Sequence, residues 1–255
     1  MDLRLKFDED VINYDNMRPT YVKDLYEDVI RFIGLDGSKS ALEIGMGTGQ
    51  ATLPFLQTGC KLTAIELGES LAAYCANKFS SYDTFRIIHG DFETVPLEDN
   101  SYDLIYAATA FHWISEDTGY TKVFKLLKSG GTVALFWNHP VPGEGAFAAA
   151  IQAVHDKHDA PSQSSVHSVS DENCFAITET MKKYGFIDVA YKLYHNTRFL
   201  SASQYMALLN TYSDHRAKQE ENRIQLEKEL TDVINRFGGV LDVHDTMDLY
   251  LARKP

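Results

Sequence analysis

Leu42-Glu43-Ile44-Gly45-Met46-Gly47-Thr48-Gly49 is the stretch on which the fold turns. Ser40-Ala41-Leu42-Glu43-Ile44 reads as a buried strand that runs into a glycine-rich turn, with a helix over about 49–57 behind it. Glycines at such a strand-to-helix junction let the chain turn tightly and let a ligand approach the backbone with no Cβ in the way. The spacing is G-x-G-x-G, whereas the dinucleotide fingerprint is G-x-G-x-x-G. The third glycine comes one residue early and Gln50 stands in its place. A carboxylate at Glu43 would repel a phosphate and suits a cationic or amino-bearing ligand instead. It either touches that ligand or holds the loop by hydrogen bonds.

Working outward, residues 61–65, 85–88, 103–107 and 132–137 are further short apolar runs. Helical patterns over about 69–79 and 116–128 separate them, and Lys128-Ser129-Gly130-Gly131 reads as a helix stop feeding the fifth strand. Strand and helix alternating at this spacing predict βαβ units and a parallel sheet. Before the first strand, Val22, Leu25, Tyr26, Val29, Ile30 and Ile33 repeat at helical spacing. Residues 1–19 show no clear periodicity, and the polar stretch 161–173 reads as a loop. Residues 186–199 and 243–253 read as two more strands, with a helical region over 201–237 between them.

Two carboxylates follow the next strands in register. Glu66 ends the second strand, where a carboxylate can accept both hydroxyls of a ribose. In Gly90-Asp91-Phe92, after the third strand, Asp91 can accept from an adenine amino group and Phe92 can cover the ring. Together these residues describe a site for an adenosine that carries an amino-acid tail and no phosphates.

This ordered set resembles the class I S-adenosylmethionine-dependent methyltransferases throughout residues 40–137. Leu126-Leu127-Lys128-Ser129-Gly130-Gly131 is similar to their "LKPGG" turn, with Ser where Pro is usual. Closer similarity is to the small-molecule branch that includes trans-aconitate and ubiquinone/menaquinone-type enzymes. Its marks are Ala110-Phe111-His112-Trp113, the Tyr14-x-x-x-Arg18-Pro19-x-Tyr21 segment, and Leu209-Asn210-Thr211-Tyr212-Ser213, in which Asn210 and Tyr212 depart from the usual pattern.

The resemblance implies an α/β, Rossmann-like sheet of seven strands in the order 3-2-1-4-5-7-6, the last antiparallel, with a helical cap. It divides one methyltransferase domain into a core of about 34–139, 173–200 and 240–255 and a cap of about 1–33, 140–172 and 200–240. It implies S-adenosylmethionine as cofactor, bound by Glu43, Gly45, Met46, Gly47, Thr48, Gly49, Glu66, Leu67, Asp91, Phe92, Ala107, Tyr14 and Arg18. The acceptor is expected to be a small molecule met by His112, Trp113, Asn138, Tyr205, Tyr212 and His215, with His112 or His139 as a base if one is needed. Several of these have a plainer reading: His112 as a packing residue, His139 before Pro140 as a turn, Arg18 in a surface ion pair, Tyr205 and Tyr212 as core aromatics, Trp113 as a wall residue. The rival function is a non-catalytic cofactor-binding sensor or assembly protein.

Composition narrows the field further. The 255 residues carry a net charge of −12, and no region is a basic footprint, which argues against a nucleic-acid acceptor. No apolar run approaches the length of a membrane span. The three cysteines are far apart, without a C-x-x-C pair, and fit a reducing compartment such as the cytoplasm rather than a disulfide or zinc framework. Metal is not expected: the fourth strand is followed by Ala108-Thr109-Ala110, where metal-dependent catechol-type enzymes need an Asp. His155, His158 and His167 are too loosely spaced for a metal site. The oligomeric state is open between monomer and homodimer.

Overall fold

Alternation along the strands builds the sheet. In the fourth strand, Leu104 and Tyr106 enter one buried cluster while Ile105 and Ala107 enter the other, so both faces are covered. The structure, a computed structural model, describes residues 3–158 and 169–255. After a 3-10 turn at Leu3–Glu9, the elements are α1 (Val11–Met17), α2 (Lys23–Ile33), β1 (Ser40–Ile44), α3 (Thr52–Leu56), β2 (Lys61–Glu66), α4 (Glu69–Lys78), β3 (Phe85–His89) and β4 (Tyr102–Ala108). A 3-10 turn at Phe111–Trp113 leads to α5 (Glu116–Leu126), β5 (Leu127–Pro142), α6 (Gly145–His158), α7 (Asp171–Lys183), β6 (Ile187–Ser201), α8 (Ala202–Leu209), α9 (Ser213–Arg216), α10 (Glu220–Arg236) and β7 (Val240–Arg253).

The strand order is β3-β2-β1-β4-β5-β7-β6, as the resemblance implied. Strands β3, β2, β1, β4 and β5 pair in parallel. The partner of Gly130 is Lys254 and that of Gly143 is Asp242, so β7 runs antiparallel to β5. Ile44 lies level with Ile65 and Ala107, and Ala107 with Leu135. The turns that follow β1, β2 and β4 therefore leave from one edge of the sheet, where open α/β sheets bind ligands, and β5 runs on past that edge to Pro142.

Contacts group the chain into two compact units. One comprises Pro19–Asn138, Val169–Tyr194 and Met247–Pro255; the other comprises Met1–Arg18, His139–Ser168 and His195–Thr246. The first holds the parallel sheet, with α2 buried through Leu25, Tyr26 and Val29 against one face and α5 and α7 on the other. The second has its own core of Ile151, Tyr205, Leu208, Leu226, Leu230, Val233 and Ile234. The grouping departs from the sequence division at α2, which was expected in the cap and packs on the sheet. Its hydrophobic stripe has Phe55 and Tyr106 to bury against.

Other departures are local. Lys128–Gly131 does not stand apart as a turn: the Gly130 N–H donates to the Lys254 carbonyl and the Lys254 N–H to the Gly131 carbonyl, which draws the segment into β5. Residues 1–19, without visible periodicity, form the 3-10 turn and α1, whose Asp10 side chain accepts from the Asn13 N–H. Most of the expected 161–173 loop and His167 lie outside the described residues. Residues 171–173 open α7, capped by Ser170.

Candidate cofactor and acceptor site

The glycine turn after β1 is held by its own donors. The Gly45 and Met46 N–H groups donate to the Ile65 carbonyl at 2.9 and 3.4 Å, and the Gly49 N–H donates to the Met46 carbonyl at 2.9 Å. The Gly47 N–H donates to Glu66 Oε2 at 2.8 Å. A phosphate-binding loop aims such donors at its ligand; here four of them are already engaged. Helix α3 behind the turn has only five residues and adds little dipole. Both facts argue against a pyrophosphate. Gly45 and Gly49 sit at φ +66° and +86°, and a Cβ on either would lie 2.7 Å from Ala110 Cβ or 2.5 Å from the Phe79 ring. Only glycine fits these two positions.

Glu66 is nearly buried at the end of β2. Its Oε1 accepts from the Gly68 N–H at 2.9 Å while Oε2 takes Gly47. These two backbone donors fix the orientation of a carboxylate, whose oxygens act only as acceptors. That arrangement fits a ribose diol, and the turn glycines leave the space beside it free of Cβ atoms. Asp91, half-buried after β3, has its Oδ1 on the Glu93 N–H at 2.9 Å.

Glu43 does not reach toward this edge. It is fully buried, with Oε2 accepting from Thr52 Oγ1 at 2.6 Å and from the Tyr106 hydroxyl at 2.8 Å. Its Oε1 has no hydrogen-bond partner among the described residues. Burial pushes the Glu43 carboxyl up to about 7, against the two hydroxyl donors, with the nearby Glu66 charge adding to the rise. Glu43 thus ties β1 to α3 and β4, the loop-holding role.

Several expected contacts are redirected by burial. The Met46 side chain packs in the core, and buried Thr48 is bound by Gln50 Nε2 at 2.6 Å through its hydroxyl and by Lys78 Nζ at 2.9 Å through its carbonyl. Phe92 is 4% exposed and packed in the core, with Lys122 Nζ 5.0 Å from its ring centroid. It does not lie over the site edge as a cover for a base. Ala107 is wholly inside β4. Leu67 is half-buried, and its carbonyl meets His89 Nε2 at 3.1 Å.

A residue that the sequence reading passed over takes the place of Ala107 at the end of β4. Thr109 has φ +52°, rare and costly for a β-branched residue. Its Oγ1 lies 2.6 Å from the Tyr21 hydroxyl and accepts from the Asn138 N–H at 3.2 Å, while its own N–H donates to the Phe136 carbonyl. Thr109 therefore binds the edges of β4 and β5 and the Tyr21 phenol together. The sequence clue was the Tyr21 of the N-terminal motif; nothing in it marks a left-handed threonine.

His112 is exposed on the 3-10 turn after β4, beside half-buried Trp113. Its Nδ1 accepts from the Trp137 indole Nε1–H at 3.1 Å. Trp137 is fixed in turn: its backbone N–H donates to Asp248 Oδ1 at 3.2 Å, and Tyr250 donates to Asp248 Oδ2 at 2.8 Å.

In the second unit, the Arg18 guanidinium carbon lies 5.5, 5.0 and 4.3 Å from the ring centroids of Phe7, Tyr14 and Tyr212. One guanidinium N–H donates to the Thr211 carbonyl at 2.8 Å, and the buried Nε has no partner among the described residues. An aromatic cage with no carboxylate in it is not a surface ion pair. The three rings hold the guanidinium by cation–π contact. Tyr205 and His215 are taken up by packing. Tyr205 is core, its hydroxyl 3.2 Å from His155 Nε2. His215 is 3% exposed, its Nε2 3.0 Å from Glu227, and burial lowers its basicity. His139 is half-buried in this unit. His158 bonds Asn222 at 2.7 Å in a helix-to-helix clasp rather than a metal site. Among the described residues no group of three or more His, Cys, Asp or Glu side chains could hold a metal, and no helix is long and apolar enough to cross a membrane.

Comparison with known proteins agrees with this geometry. Residues 42–135 match the family described as a methyltransferase domain. An uncharacterised methyltransferase-like protein of Schizosaccharomyces pombe is 25% identical over 238 residues, 92% of this chain and 88% of that one. A probable S-adenosylmethionine-dependent methyltransferase of Saccharomyces cerevisiae is 27% identical over 147 residues, 56% of this chain and 50% of that one. The structure of phosphoethanolamine N-methyltransferase 2 of Haemonchus contortus shares the fold, with a TM-score of 0.60 at 16% identity, over 100% of this chain and 60% of that one. With a methyltransferase domain over residues 42–135 on a sheet of this strand order, the chain is an S-adenosylmethionine-dependent methyltransferase.

Proposed function

We propose that the chain methylates a small-molecule acceptor. The cofactor is held by the turn at Gly45, Gly47 and Gly49, by Glu66 on the ribose, and by Asp91 and Leu67 at the adenine. The observation that carries the reading is the Glu66 carboxylate, which ends β2 beside the glycine turn and is anchored to the backbone of Gly47 and Gly68. Thr48, Met46, Phe92, Ala107 and Glu43 act behind these residues by fixing their backbone. When bound, the cofactor supplies a methyl already activated by its sulfonium, so the protein's work is alignment and exclusion of water.

The acceptor meets the end of β4 and the stretch of β5 beside it, where Thr109, His112, Trp113 and Asn138 lie close in sequence and register. In the other unit, Arg18, with Tyr14 and Tyr212 around it, is by its chemistry a group suited to a carboxylate. A net charge of −12 supports a small acceptor over a nucleic acid. The Haemonchus enzyme is in complex with phosphomonomethylethanolamine and S-adenosylhomocysteine, which accords with a small acceptor on this fold.

The test is to incubate the protein with methyl-labelled cofactor and two fractions of a cell extract. Label is expected in one or a few species of the low-mass fraction, identified by mass. Label confined to macromolecules would remove the small-acceptor reading while leaving the enzyme class intact.

A further inference from the structure

We infer that Lys122 is a positioning residue for recognition of the cofactor's adenine: from α5 its ammonium gathers two carbonyls of the turn after β3 and so sets where Asp91 stands. The inference rests on the reading that Asp91 meets the adenine.

This turn leaves from the same edge of the sheet as the glycine turn: His89, the last residue of β3, lies level with Glu66. From there Gly90 to Val95 folds back on itself. The Asp91 carbonyl accepts from the Thr94 and Val95 N–H groups at 3.0 and 2.8 Å, and Asp91 Oδ1 accepts from the Glu93 N–H at 2.9 Å. A Cβ on Gly90 would lie 2.6 Å from Val95 Cγ2, so the fold-back is tight. These bonds lie within the turn and fix its shape, as Asx turns do, but not its tilt against the sheet. Burial of the Phe92 ring gives one attachment to the core, about which the backbone could still pivot.

Lys122 removes that freedom. Its Nζ donates to the Phe92 carbonyl and to the Val95 carbonyl, each at 2.6 Å, and stands 5.0 Å from the Phe92 ring centroid. The helix that carries it is a firm base, buried through Tyr120, Val123 and Leu126. A lysine on a helix surface ordinarily sends its ammonium into water. This one turns it onto backbone carbonyls, where burial lowers its basicity against the charge of Asp91. Rigidity is what the arrangement supplies. A hydrogen bond to an exocyclic amino group weakens steeply once its angle is lost, so a turn that rocked would read the base poorly.

Two nucleosides titrated into the same preparation test the role: S-adenosylhomocysteine, and S-inosylhomocysteine, in which an oxo group replaces the adenine amino group. The wild type is expected to prefer the first by about tenfold or more, the worth of a hydrogen bond to a carboxylate. Lys122→Met keeps the apolar stem and loses both donors; it is expected to give up about three- to tenfold of that preference. Lys122→Gln, too short to reach both carbonyls, takes its place if the Met variant does not fold. Lys122→Arg keeps the donors and is expected to keep most of the preference. A variant that merely loosened the fold would bind both nucleosides more weakly and leave their ratio unmoved. An unmoved ratio in Lys122→Met, or a ratio reduced as far in Lys122→Arg, would overturn the inference. Asp91→Ala separates it from the reading beneath it. If Asp91→Ala abolishes the preference and Lys122→Met keeps it, the adenine contact stands and only the role of Lys122 falls. If Asp91→Ala has the wild-type ratio, the Asp91 reading fails and takes that role with it.

Discussion

Between pH 5 and pH 8, Glu43→Gln is expected to gain stability relative to the wild type by roughly 3 kcal/mol. The glutamate is fully buried and its carboxyl is raised from 4.5 to about 7, chiefly by desolvation. A folded-state value above the unfolded one means that the native chain holds a proton which the unfolded chain releases. The wild type therefore has this contribution in full below about pH 4.5 and loses it as the pH rises through about 7. The shift of about 2.5 units corresponds to roughly 3 kcal/mol. Glutamine is a close mimic of the protonated acid: one oxygen still accepts from Thr52 and Tyr106, and one donor faces the side where Oε1 has no partner among the described residues. At pH 5 the two proteins should unfold at nearly the same denaturant concentration, and at pH 8 the variant should be the more resistant. A gap that does not change between these pH values would mean that Glu43 is ionised in the fold at no cost.

Gly49→Ala should destabilise by about 2–4 kcal/mol, from left-handed backbone strain plus overpacking. The new methyl would stand 2.5 and 2.7 Å from two atoms of the Phe79 ring, which is buried and cannot swing aside. Gly130→Ala is the internal control. Gly130 has a similar φ of +75°, but a Cβ there meets nothing within 4 Å, so it should show only the backbone part, about 1 kcal/mol. Urea midpoints at unchanged slope give the comparison. Equal losses in the two variants would show that the ring yields and that the turn is less closely packed than described.

These two positions also show what could be read in advance. The spacing of Gly45, Gly47 and Gly49 after an apolar run, with Glu66 and Asp91 after the next two, gave the turn and the sheet, because local backbone demands and periodicity are written residue by residue. The seven-strand order came with the family resemblance and holds. What could not be read was which way a side chain faces once distant segments meet. Phe92 and Met46 are drawn into the core because α5 and α4 supply apolar neighbours, so an aromatic expected to cover a base became packing. His215 and Tyr205 had the right residue types for a substrate site, but Glu227 and His155, remote in sequence, claim them. Thr109 is the opposite case: nothing in its type suggests a left-handed conformation, which exists only because Phe136, Asn138 and Tyr21 together hold it. The helix at 23–33 was legible as a helix, but its stripe did not say which surface it would cover.

The central claim is a pocket for a nucleoside that bears an amino acid, with Glu66 as its ribose acid. Titration calorimetry with S-adenosylhomocysteine tests it most directly. The wild type should bind one molecule per chain and show no heat with NAD, and Glu66→Ala should bind more weakly by about 1–3 kcal/mol, roughly 5- to 150-fold, as charge-assisted hydrogen bonds are lost. Unaltered affinity in Glu66→Ala, or a chain that binds NAD and ignores the nucleoside, would contradict the account.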